Sequence, residues 1–91
     1  MMRLFIEVEN NLGLHARAAA KLVQLASGFS SNIYLSRQDA DQRIDSKSIL
    51  GVLMLAASKG THLVISIDGP DEREAGEAIR KLFKSKFGER A

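Results

Sequence analysis

Arg3-Leu4-Phe5-Ile6-Glu7-Val8 is followed, after the turn-forming residues Asn10-Asn11-Leu12-Gly13, by Ala16-Arg17-Ala18-Ala19-Ala20-Lys21-Leu22-Val23-Gln24-Leu25-Ala26-Ser27. The first run has period two, with Leu4, Ile6 and Val8 on one side and Arg3, Phe5 and Glu7 on the other, which predicts a strand with a single apolar face. In the second run Ala19, Leu22, Val23 and Ala26 recur at helical spacing, and Gly28 supplies a C-terminal stop. The opposite face of this helix, Ala16 to Ser27, carries Arg17, Lys21 and Gln24 as one polar, basic stripe. A one-sided strand that runs through a short loop into an amphipathic helix implies a sheet covered by helices on one face only.

The remaining segments extend that pattern. Ser31, Ile33 and Leu35 alternate with Asn32, Tyr34 and Ser36, and the polar run Arg37 to Gln42 leads to Arg43-Ile44-Asp45, a hairpin with a charged connection. Ser48 stands as an N-cap before Ile49-Leu50-Gly51-Val52-Leu53-Met54-Leu55, a short helix in which Ile49, Val52, Leu53 and Ala56 can face a core. Leu50 and Met54 then point elsewhere, so this helix has more apolar surface than one buried stripe needs. After Lys59-Gly60, Leu63, Ile65 and Ile67 alternate with His62, Val64 and Ser66 as another strand. Gly69-Pro70-Asp71 ends it, and Asp71 is placed to cap a last helix running to about Phe87. Ala75, Ala78, Ile79, Leu82 and Phe83 form the buried stripe of that helix, Glu77 and Lys81 pair at i,i+4, and Gly76 costs it roughly 1 kcal/mol relative to alanine. The order is βαββαβα. The expected class is α+β, an open-faced β-sandwich with a four-stranded antiparallel sheet and three helices packed on one face.

Composition narrows the function. The chain has 91 residues, read as a single domain spanning 1–91, with 45% apolar and 26% charged residues and no bias toward disorder. Without cysteine, neither disulfides nor thiolate metal sites are available, and with only two histidines and no carboxylates clustered around them no metal site or cofactor is expected. The longest apolar stretch, Ile49 to Ala57, is too short to span a bilayer, and Glu7 and Glu9 interrupt what would be the apolar centre of a secretory signal, so the expectation is a cytoplasmic protein with no membrane partner. A formal charge of +2 does not by itself imply nucleic-acid binding.

The chemistry concentrates in Leu12-Gly13-Leu14-His15-Ala16-Arg17. Here a histidine lies at the junction between a flexible turn and a helix N-terminus, where unpaired backbone N–H groups and the helix dipole favour an anion. A phosphoryl group on His15 is such an anion, and Arg17 can add a charge-assisted contact to its oxygens. The same positive field disfavours imidazolium, which leaves a neutral ring with a free lone pair. The plainer alternative is a turn histidine with no chemistry, and it is weakened by this context.

At these residues the chain resembles the histidine-containing phosphocarrier (HPr) family. The active-site motif is matched by Gly13-Leu14-His15-Ala16-Arg17-Ala18, and the resemblance continues through Lys47-Ser48-Ile49-Leu50-Gly51-Val52-Leu53-Met54-Leu55, Lys59-Gly60 and Gly69-Pro70-Asp71-Glu72. It implies a carrier, not a catalyst, that accepts a phosphoryl group from phosphorylated enzyme I on Nδ1 of His15 and passes it to IIA-type acceptor proteins, with Arg17 stabilising the phosphate. It also implies that Lys21 and Gln24, with an exposed patch of Ile49, Leu50 and Leu53, dock both partners. Ser48 becomes a regulatory site for an HPr kinase/phosphorylase, with Ser46 a competitor on sequence grounds and N-capping its plainer role. Two departures stand out: Ala18 occupies a position where many members have proline, and the connection before Lys47 is slightly longer. Alanine forgoes roughly 0.4–1 kcal/mol of chain restriction but adds an N–H near the phosphate.

Other readings compete. A small RNA-binding module suits a sequence pI of about 9.2, but it needs base-stacking aromatics on the open sheet, and four Phe and one Tyr fall mostly at expected core positions. An enzyme using His15 as a general base lacks a readable triad partner or nucleotide loop. His62, outward on its strand, is assigned no chemistry. A carrier presenting one face to successive partners works as a monomer, and nothing separates sugar uptake from regulatory signalling.

Overall fold

The computed structural model describes residues 1–89. The chain forms β1 (Met2–Glu7), α1 (Ala16–Ser27), β2 (Asn32–Arg37), β3 (Ile44–Asp45), α2 (Ile49–Met54), β4 (His62–Asp68) and α3 (Glu72–Lys84), with a 3₁₀ turn over Lys86–Gly88. The sheet order is β1-β4-β2-β3, with every pairing antiparallel. Register follows from the one-sided patterning. Leu4 lies opposite Ile65, Ile65 opposite Leu35 and Leu35 opposite Ile44, so one row of apolar side chains crosses all four strands on the same face. A slip of one residue would turn each set into solvent.

The helices cover that face. α3 packs on β1 and β4, α1 packs on α2 and α3, and α2 touches β3. Leu22 and Ala26 from α1, Val52 from α2 and Ile79 and Phe83 from α3 close a core with Leu4, Val8, Ile33, Leu63, Ile65 and Ile67, all of them buried. The other face of the sheet is open, with Phe5 68% exposed and the Arg43 guanidinium 4.2 Å above the Tyr34 ring. This is the expected open-faced α+β sandwich.

Three sequence expectations need correction. Of Ile49, Val52, Leu53 and Ala56, only Val52 is buried, joined by Leu55; Ile49 and Leu53 are 40% and 37% exposed. α2 has only six residues, too few for a wide buried face, and Ala56 lies beyond its end with φ +52°. Asp71 occupies the N-cap position of α3, but its carboxylate makes no cap bond. It instead accepts the backbone N–H and hydroxyl of Ser30 and Ser31, tying the start of α3 to the α1–β2 turn, while Glu72 Oε1 takes the Gly69 N–H at 3.2 Å. α3 also stops at Lys84, short of Phe87. Ser85 Oγ donates back to the Leu82 carbonyl at 2.8 Å, and a hydroxyl bond of this kind competes with continued helix. Gly76, for its part, sits where a Cβ would come within 2.9 Å of the Met2 Sδ, so the close approach of α3 to β1 accounts for the glycine.

Candidate functional site

The site begins with the loop between β1 and α1. Gly13 has φ +64°, and a Cβ there would lie 2.5 Å from the Ala57 carbonyl oxygen, so only glycine permits this approach to the segment after α2. The Leu14 N–H donates to that same carbonyl at 2.8 Å, and Leu14 is buried. His15 is therefore delivered from a pinned loop. It is the N-cap of α1, in extended conformation with φ −73° and ψ −179°, and its side chain makes no capping bond. Its carbonyl accepts the Ala19 N–H at 2.8 Å, the first bond of the helix, so the N–H groups of Ala16, Arg17 and Ala18 face the open end. Arg17 is exposed and, among the described residues, has no hydrogen-bond or ion-pair partner. The structure thus brings together an imidazole, an open helix N-terminus and a free guanidinium, as the sequence suggested.

It also adds residues that the sequence reading did not single out. His15 Nε2 lies 2.6 Å from Glu89 Oε2, and the two side chains are 28% and 13% exposed. The same carboxylate oxygen accepts the Asn10 amide at 2.9 Å, and Asn10, almost fully buried, also donates to the Gly13 carbonyl at 2.7 Å. The His15 ring, with help from Asn10, holds the Glu89 carboxyl below its usual value against the opposing effect of desolvation. Glu89 is 74 positions from His15 and belongs to no periodic segment, so no local pattern marks it.

The surrounding surface separates the remaining candidates. Lys21 and Gln24 are exposed on α1, but the Lys21 ammonium donates to the Phe87 carbonyl at 2.6 Å, which fixes the turn leading to Glu89. Leu50 and Met54 are 70% and 73% exposed and, with Ile49 and Leu53, make α2 an apolar surface element. Ser48 is exposed and its Oγ accepts the Gly51 N–H at 3.2 Å, a working N-cap. Ser46 is fully buried, with both N–H and hydroxyl on the Ile33 carbonyl, and is inaccessible to a modifying enzyme. Among the described residues no three His, Cys, Asp or Glu side chains group to hold a metal, and no helix is long and apolar enough to cross a membrane.

Comparison with known proteins bears on this geometry. The family described as "PTS HPr component phosphorylation site" matches residues 4–85. The phosphocarrier protein HPr of Cupriavidus necator is 47% identical over 89 residues, covering 98% of each chain. The phosphocarrier protein NPr of Escherichia coli is 39% identical over 84 residues, covering 92% of each. Among solved structures, HPr-C-His from Thermoanaerobacter tengcongensis superposes with a TM-score of 0.93 at 43% identity over the full length of both chains. Sequence, fold and similarity agree: the chain belongs to the HPr family of phosphocarrier proteins of the phosphotransferase system, and is a carrier of phosphoryl groups, not a catalyst.

Proposed function

We propose that this chain, one HPr-like domain, is a cytoplasmic, monomeric carrier that takes a phosphoryl group from phosphorylated enzyme I onto His15 and hands it to IIA-type acceptors. The observation that carries this reading is His15 at the N-cap of α1, its ring not spent on capping, two positions before an Arg17 that has no partner among the described residues. The helix N–H groups and the guanidinium supply positive potential where the phosphoryl oxygens settle. Because the group must leave again, these contacts strengthen during in-line transfer more than in the resting phosphohistidine. The partner supplies the other half of the site. Ile49, Leu50 and Leu53, with Lys21 and Gln24, form the docking surface, and Ser48 is the position where an HPr kinase/phosphorylase would add negative charge to it.

Intact mass after incubation with phosphoenolpyruvate, magnesium and enzyme I tests this. One acid-labile phosphate, absent in His15→Ala, is expected. No phosphate from an active enzyme I would overturn the reading.

A further inference from the structure

The transfer chemistry described so far makes no use of Glu89, yet the fold goes to some length to place it. The chain reverses through Lys86, Phe87 and Gly88, with φ values of +56°, +57° and +76°. Left-handed conformations at Lys and Phe are unfavourable on their own. They are held here by the burial of Phe87, whose ring packs edge-on against Phe83 with centroids 4.9 Å apart, and by Lys21 on its carbonyl. Asn10, pinned on Gly13, then fixes the carboxylate itself.

An ionised carboxylate only accepts hydrogen bonds. The contact with His15 therefore has one sense: Nε2 carries the proton and donates it, and the neutral tautomer consistent with that contact has its lone pair on Nδ1. We infer that Glu89 and His15 form a carboxylate–imidazole dyad in which Glu89 is a positioning residue for phosphoryl transfer, holding the ring with Nδ1 free and stabilising the charge it gains. The inference rests on the reading of His15 as the phosphoryl acceptor and adds to it a source of orientation. In the step, the Nδ1 lone pair forms the N–P bond while the bond from phosphorus to the donor protein breaks, its electron pair staying with the donor. The proton on Nε2 does not move. The ring becomes cationic, and the carboxylate on its other nitrogen compensates that charge, as the buried aspartate does for histidine in serine hydrolases. Onward transfer reverses these movements.

Glu89→Gln, which preserves size and leaves the docking surface alone, is the test, with Glu89→Ala as a second variant. The expected result is a fall of about 10- to 100-fold in kcat for phosphoryl uptake from enzyme I, the scale of a charge-assisted hydrogen bond that strengthens as charge develops, with KM unchanged. In ¹⁵N-resolved NMR of the unphosphorylated chain, wild-type His15 should show an Nε2-bound proton protected from exchange, and Glu89→Ala, which has no acceptor there, should lose that protection. An unchanged kcat would overturn the dyad's role, and so would a rise in KM alone, which would make Glu89 a docking contact. An Nε2 proton no better protected in the wild type than in Glu89→Ala would remove the dyad itself. If instead the wild type takes no phosphate, the acceptor reading fails, an outcome distinct from an unaffected variant.

Discussion

Arg17 lies two positions after His15 and Glu89 contacts its ring, and they differ in what ties them to the fold. Arg17 is exposed and has no partner among the described residues, so Arg17→Ala should leave stability within about 0.5 kcal/mol of wild type while slowing phosphoryl uptake at least tenfold, measured by denaturant titration and by quenched-flow transfer. Arg17→Lys should recover only part of the rate, because an ammonium cannot make the bidentate contact. Asp71 gives a residue-scale prediction about pH. Its pKa is lowered from 3.8 to about 2, chiefly by the Ser31 hydroxyl and then by the Ser30 N–H. A carboxylate depressed in the folded state contributes stability above pH 3.8 that is lost as pH falls toward 2. Asp71→Asn should flatten the stability–pH curve in that window, and an unchanged curve would show that the serine bonds do not matter in solution. The placement of His15 and Arg17 at the start of α1 was legible in the sequence because the turn and the helix start lie within a few residues. Glu89 was not, because its meaning depends on a long-range contact made through a turn whose left-handed residues, Lys86 and Phe87, carry no local signature of that conformation.

At the scale of elements, the loop before α1 and the short helix α2 set the site. Gly13→Ala would place a methyl group 2.5 Å from the Ala57 carbonyl in a left-handed conformation, so it should destabilise the chain by about 1–3 kcal/mol and lower phosphoryl uptake by displacing His15. Leu50, 70% exposed, allows the opposite result: Leu50→Asp should fold normally and raise KM for enzyme I, and a loss of stability without a change in KM would mean that α2 is structural. Strand and helix positions were legible from period alone, and α1 runs from Ala16 to Ser27 as its apolar spacing indicates. The buried face of α2 was not, since six residues make fewer than two turns and nearly every side chain is apolar. The end of α3 was missed because Phe87 continues the spacing of Phe83; it is the backward bond of the Ser85 hydroxyl that accompanies the stop.

Across the whole molecule, the β1-β4-β2-β3 sheet serves as a floor on which α1 and α2 are packed together, so an open helix N-terminus and an apolar surface helix belong to one layer. The open face of the sheet remains separate, with Tyr34 covered by the Arg43 guanidinium and Phe5 exposed. The sandwich architecture could be read from one-sided strands alternating with amphipathic helices; the closure of the site by the chain's far end could not, because it is a tertiary contact between residues 74 positions apart. The central claim is that His15 carries a phosphoryl group on Nδ1. ³¹P and ¹⁵N NMR of the uniformly ¹⁵N-labelled chain after phosphorylation by enzyme I measures it directly. The account predicts one phosphorus coupled to Nδ1 of His15, with Nε2 keeping its proton; phosphorus coupled to Nε2, or attached to any other residue, would contradict it.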